Sequence, residues 1–120
     1  MEKFIPEIME FTVDSKTHIV EFCRESMKEA DSMGVTSNDS MGIYDRTALI
    51  LYAGLKKNEP FISMRRAKEI LDNAFEEGYS LDDFAEIVDE FTRCYKALFT
   101  GEGKKKGLVT RRNAAAKAQK

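Results

Sequence analysis

The 120-residue sequence predicts an all-α fold, a single domain of about four helices with a basic, flexible C-terminal tail. Three observations carry that prediction. Apolar residues recur at three- and four-residue spacing along most of residues 14–99. Only two prolines interrupt the chain. Glycine or proline stands where each apolar stripe runs out, as at helix C-termini.

The opening residues resist assignment. Phe4, Ile5, Ile8, Met9 and Phe11 fit a short helical turn or an extended segment equally well, and Pro6 argues against a regular element beginning before it. Asp14 or Ser15 caps a first helix running to about Met33, with Ile19, Phe22, Cys23, Met27, Ala30 and Met33 on its apolar stripe and Gly34 ending it. Thr36 to Gly42 is a loop by composition, because small polar side chains compete for backbone hydrogen bonds. A second helix spans about Tyr44 to Lys57. Its centre, Ala48 to Ala53, is apolar on every side, which predicts the most buried element. Gly54 within it costs about 1 kcal/mol relative to alanine and suggests close approach of a neighbouring helix.

Ser63 caps a third helix to about Glu77, with Ala67, Ile70, Leu71, Ala74 and Phe75 toward the core. Gly78 ends it. Ser80-Leu81-Asp82-Asp83 then forms a capping-box variant, and Tyr79 and Phe84 occupy the two positions of a hydrophobic staple. The fourth helix runs to about Phe99, with Leu81, Phe84, Val88, Phe91, Tyr95 and Leu98 as its seam and Ile87, Cys94 and Phe99 widening the stripe beside it. Gly101 and Gly103 close the helical body, so residues 1–103 form the domain and residues 104–120 the tail.

Hydrophobic residues make up 42% of the chain and charged residues 33%, an ordinary globular composition that excludes disorder throughout. No apolar run approaches the roughly 20 residues of a membrane span, and the N-terminus lacks the charge and apolar pattern of a signal peptide. A cytoplasmic protein with reduced thiols at Cys23 and Cys94 is expected. The net charge of −2 hides an asymmetry. Lys104, Lys105, Lys106, Arg111, Arg112, Lys117 and Lys120 lie in the tail, which has no acid, so every Asp and Glu lies in the body.

The residue types do not point to catalysis. His18 is the single histidine, which excludes a multi-histidine metal site within one chain, and its place near the start of the first predicted helix suggests the surface or a half-buried setting. Cys23 is five residues from His18, not the three or four that pair side chains on a helix. Glu76-Glu77, Asp82-Asp83 and Asp89-Glu90 read as caps and solvated faces. Neither a calcium loop nor a phosphate-binding glycine pattern occurs. No cofactor and no metal are expected.

Thr47-Ala-Leu-Ile-Leu-Tyr-Ala-Gly-Leu-Lys-Lys-Asn58, then Ile62 to Phe75, then Glu76-Glu77-Gly78-Tyr79-Ser80-Leu81-Asp82-Asp83-Phe84, resembles the tail assembly chaperones of long-tailed bacteriophages. The likeness covers roughly residues 44 to 99 and rests on a "YAGL"-like phrase and a "G-Y-x-x-D-D" turn. Many members of that family open with a short β-hairpin; the N-terminal third of this chain departs from them, and no hairpin is placed in it. Lys104-Lys105-Lys106 is compatible with an A-rich slippery codon run, the device by which such phages make a longer, frameshifted form.

The resemblance implies a homo-oligomer in the host cytoplasm that coats the tape measure protein, helps recruit tail tube subunits and is absent from the mature virion. Partner contact then falls to apolar side chains near the end of the last helix, Phe91, Tyr95, Leu98 and Phe99, with Met27, Met33 and Met41 as a second set; for each of them alone a place in the core is the competing and favoured reading. Two other readings remain. One is a small phage-encoded inhibitor of a host protein. The other is a nucleic-acid-binding accessory protein acting through residues 104–120, against which stand the acidic body and a tail without aromatics.

Overall fold

The computed structural model describes residues 5–97. Leu98, Phe99 and the tail over residues 104–120 lie outside the described residues. Two strands, β1 (Met9–Val13) and β2 (Lys16–Val20), precede four helices: α1 (Arg24–Ser32), α2 (Ile43–Leu55), α3 (Met64–Glu76) and α4 (Ala85–Tyr95). A 3-10 turn over Leu81–Phe84 leads into α4.

The fold is therefore mixed, four helices with an antiparallel two-stranded sheet, and not the all-α domain that periodicity predicts. The first predicted helix is where the prediction fails. Its opening third is β2, paired with β1 from Val13↔Lys16 to Met9↔Val20. Thr17, Ile19 and Val20 are β-branched and favour extended backbone. Burial alternates accordingly: His18 and Val20 face the core, while Thr17 and Ile19 face outward. Ile19 thus matched a helical stripe by spacing alone.

Asp14 and Ser15 make the two-residue turn, both at positive φ (57° and 63°), as a type I′ hairpin requires. Tertiary contacts pin this turn. The Asp14 amide donates to Glu77 Oε2 at 2.7 Å, and Asp14 Oδ2 accepts from Asn73 Nδ2 at 2.8 Å.

The helix α2 is the hub that its composition predicts: every residue from Thr47 to Leu55 is buried. Gly54 does permit a close approach, though of the strand and not of a helix. A Cβ there would lie 2.6 Å from Val20 Cγ1 and 3.2 Å from Phe22 Cε1. The Gly54 carbonyl also accepts from the Glu21 amide at 2.8 Å.

The punctuation of α3 and α4 follows the sequence closely. Ser63 Oγ accepts from the Arg66 amide at 3.0 Å and caps α3, and Gly78 leaves it at φ +104°. Both halves of the Ser80–Asp83 capping box form, and the Tyr79 and Phe84 rings meet at 5.9 Å. The buried face of α4 lies on the Ile87 and Cys94 side of the predicted stripe. Phe84, Ile87, Phe91 and Cys94 point inward together with Glu90, whereas Val88 and Tyr95 are half-buried and Leu81 is exposed. The α-helix itself ends at Tyr95, with Lys96 and Ala97 continuing in a wider π turn.

Candidate partner-binding surface

The residues predicted to meet a partner do not share one environment. Phe91 is buried, edge-to-face with Phe22 at 5.6 Å, so it belongs to the core. Tyr95 stacks on Phe91 at 6.1 Å and is half-buried, and Leu98 and Phe99 lie outside the described residues. Met27 is fully buried, Met33 is 41% exposed and Met41 is half-buried.

What the fold adds beside α4 is the N-terminal segment. The Glu7 amide donates to Glu90 Oε2 at 2.8 Å, and Arg93 Nη2 reaches the Ile5 carbonyl at 3.4 Å. These bonds lay residues 5–8 against α4 while Ile5 and Ile8 stay 75% and 64% exposed. The Glu90 and Arg93 side of α4 thus carries the exposed Ile5 and Ile8 beside a polar clamp.

Glu90 is the residue that organises this surface, and it reads in the sequence as half of a solvated acid pair. It is 5% exposed and accepts from the Glu7 amide, from Arg93 Nε and Nη2 at 2.8 Å each, and from Cys94 Sγ at 3.2 Å. Burial pushes its carboxyl up, but the hydrogen bonds from Arg93, Glu7 and Cys94 and the guanidinium charge outweigh that and hold it below the usual value. The Cys94 thiol is pushed up to about 12 by burial and by the Glu90 carboxylate, so at neutral pH it is protonated and donates.

His18 is likewise not where its sequence position suggests. It is 1% exposed on β2, stacked on Phe11 at 5.4 Å, with Nδ1 2.8 Å from Glu59 Oε2. The pair ties the hairpin to the loop between α2 and α3.

A cleft of about 180 Å³ is lined by Cys23, Ser26, Glu29, Lys56 and Lys57. Lys56 Nζ donates to the Tyr52 hydroxyl at 3.2 Å, which in turn donates to Glu29 Oε2. The Tyr52 hydroxyl raises the Lys56 pKa, and burial followed by the Glu29 bond raises that of Tyr52. Both groups therefore keep their protons at neutral pH, the states of a structural relay and not of an activated nucleophile. Among the described residues no group of three or more His, Cys, Asp or Glu converges as a metal site, and no helix is long and apolar enough to cross a membrane. No family model, curated protein or solved structure matches the chain.

Proposed function

We propose that the chain is a tail assembly chaperone of a long-tailed bacteriophage. It self-associates in the host cytoplasm, binds and solubilises the tape measure protein, helps recruit tail tube subunits and departs before the virion is complete. It works by binding and not by catalysis.

One observation carries this reading: the order of elements around the resembling stretch. A short hairpin, Met9–Val20, precedes the apolar helix that ends in Tyr52-Ala53-Gly54-Leu55, and the Gly78–Asp83 turn follows α3. The hairpin is the element that the resemblance implies and that the sequence left unplaced. The exposed Ile5 and Ile8 beside α4 supply apolar contact at the surface, with Glu90 and Arg93 holding them in place.

Co-expression with the tape measure protein of the same phage tests the reading. The expected result is a soluble complex carrying many copies of this chain per tape measure molecule. A tape measure protein that stays insoluble and captures none of this chain overturns it.

A further inference from the structure

Phe61 is the most exposed large apolar side chain among the described residues, 97% accessible. Its backbone is not loose. The Glu59 and Asn58 amides donate to the Leu55 carbonyl at 2.9 and 3.2 Å, and the Ile62 amide donates to the Glu59 carbonyl at 3.0 Å. Pro60 precedes it, and Ile62, 8% exposed, anchors the loop in the core immediately after it. Ser63 then caps α3. The loop therefore presents a bare phenyl ring on a fixed base, which leaves little conformational entropy to lose on docking. The neighbouring cations are Lys57, Arg65 and Arg66; Lys57 pairs with Glu21 at 2.6 Å, and Arg65 and Arg66 share Glu69.

A receptacle for such a ring lies elsewhere on the same fold. Between β1 and the start of α4 is a groove of about 220 Å³ whose apolar walls are Met9, Phe11, Tyr79, Phe84 and Ile87. It falls below the roughly 300–1,000 Å³ of sites that take a small-molecule ligand, but it has room for one large side chain. Phe11, Tyr79 and Phe84 already pack as a ring cluster, with centroids 5.6 to 6.4 Å apart. A further ring can extend that cluster edge-to-face. The remaining lining residues, Glu10, Asp83 and Glu86, are all acidic and exposed. The segment around the anchor, residues 56–69, carries five basic and two acidic residues, and the groove is an aromatic slot whose polar lining is all acidic.

We propose that Phe61 of one molecule inserts into the groove between β1 and α4 of a second copy, with Lys57, Arg65 and Arg66 facing Glu10 and Glu86 across the contact. Anchor and groove are different surfaces, so the contact is heterologous and propagates through successive copies or closes on itself. It supplies the self-association that the chaperone reading requires and rests on that reading for its purpose. Its test uses the isolated full chain, so failure of tape measure binding leaves it standing.

Sedimentation velocity over a range of concentrations reads the association. The wild-type chain assembles, and Phe61→Ser, a change at a fully exposed side chain, weakens assembly about 30-fold or more while leaving the thermal transition in place. The double variant Glu10→Lys with Glu86→Lys keeps the anchor and is monomeric for lack of an attractive groove. Mixing it with Phe61→Ser yields only the 1:1 pair, because each partner is missing one surface. The proposal falls if the wild-type chain is monomeric at every concentration, or if Phe61→Ser assembles as the wild type does. It also falls if deleting residues 104–120 abolishes assembly while Phe61→Ser does not, since the tail is then the occupant of the groove.

Discussion

Glu90 shows how much one side chain can decide. A carboxylate that loses nearly all contact with water must regain its interactions from protein donors, and this one has four. Its pKa is depressed in the fold, so its contribution to stability is complete above the unfolded value of about 4.3 and is lost as pH falls through the folded value. Replacement by Gln keeps the shape but removes the charge that Arg93 and the Glu7 amide address. Urea unfolding at pH 7 should show Glu90→Gln less stable by about 1–3 kcal/mol, with the gap to the wild type closing below about pH 4. A gap that persists unchanged into acid would mean that the carboxylate's ionisation does not matter. The signal for Glu90 was present in the sequence, three residues after Ile87 and four before Cys94 on the inward stripe. An acid on an apolar stripe usually means the edge of that stripe, and only its partners reveal otherwise. Two of them, Arg93 and Cys94, are local; the third, the Glu7 amide, is 83 residues distant.

The secondary-structure elements divide according to where their signals reside. Caps and stops act within four or five residues, so Ser63, Gly78 and the Ser80–Asp83 box were legible directly. The hairpin was not. Its turn is Asp14-Ser15 in place of the Asn-Gly or Asp-Gly that advertises a type I′ geometry, and the first of its two left-handed residues, Asp14, is held by Asn73 and Glu77 of the α3 region. The strand then abuts α2 at Gly54, which yields a prediction at odds with helix propensity. Ala is favoured over Gly inside a helix by about 1 kcal/mol. The new Cβ would nonetheless meet Val20 Cγ1 at 2.6 Å, a short branched side chain on a strand with little freedom to withdraw. Overpacking of about 1–3 kcal/mol therefore outweighs the propensity gain, and thermal unfolding should show Gly54→Ala destabilised. Adding Val20→Ala relieves the clash, so the double variant is more stable than the two separate losses predict. Additive losses would place the cost of Gly54→Ala outside the α2–β2 contact.

Taken together, the contacts bind the hairpin to several parts of the helical layer at once. Phe11 meets Phe84, His18 meets Glu59, Val20 meets α2 at Gly54, and the turn meets α3. A two-stranded hairpin is marginal by itself and here has no stability apart from the helices. Far-ultraviolet circular dichroism and tyrosine fluorescence should therefore report one coincident unfolding transition, and Phe11→Ala should shift both by the same amount. Separate transitions would make the hairpin an independently melting unit.

Composition and local pattern were sufficient for one domain's worth of apolar residues, for the buried α2, and for the starts of α3 and α4, because those features depend on neighbours within a turn or two of helix. They were also sufficient to suggest a binding role carried by apolar side chains. Tertiary packing alone decided that residues 16–20 run as a strand, that Glu90 and His18 are buried, and that Phe61 stands bare in solvent. Spacing in sequence cannot separate a helical stripe from a strand followed by a helix when both supply an apolar residue at every third or fourth place. That choice is made by groups 34 to 63 positions away, Gly54, Glu59, Asn73 and Glu77, which accept the hairpin's close approach or its polar atoms.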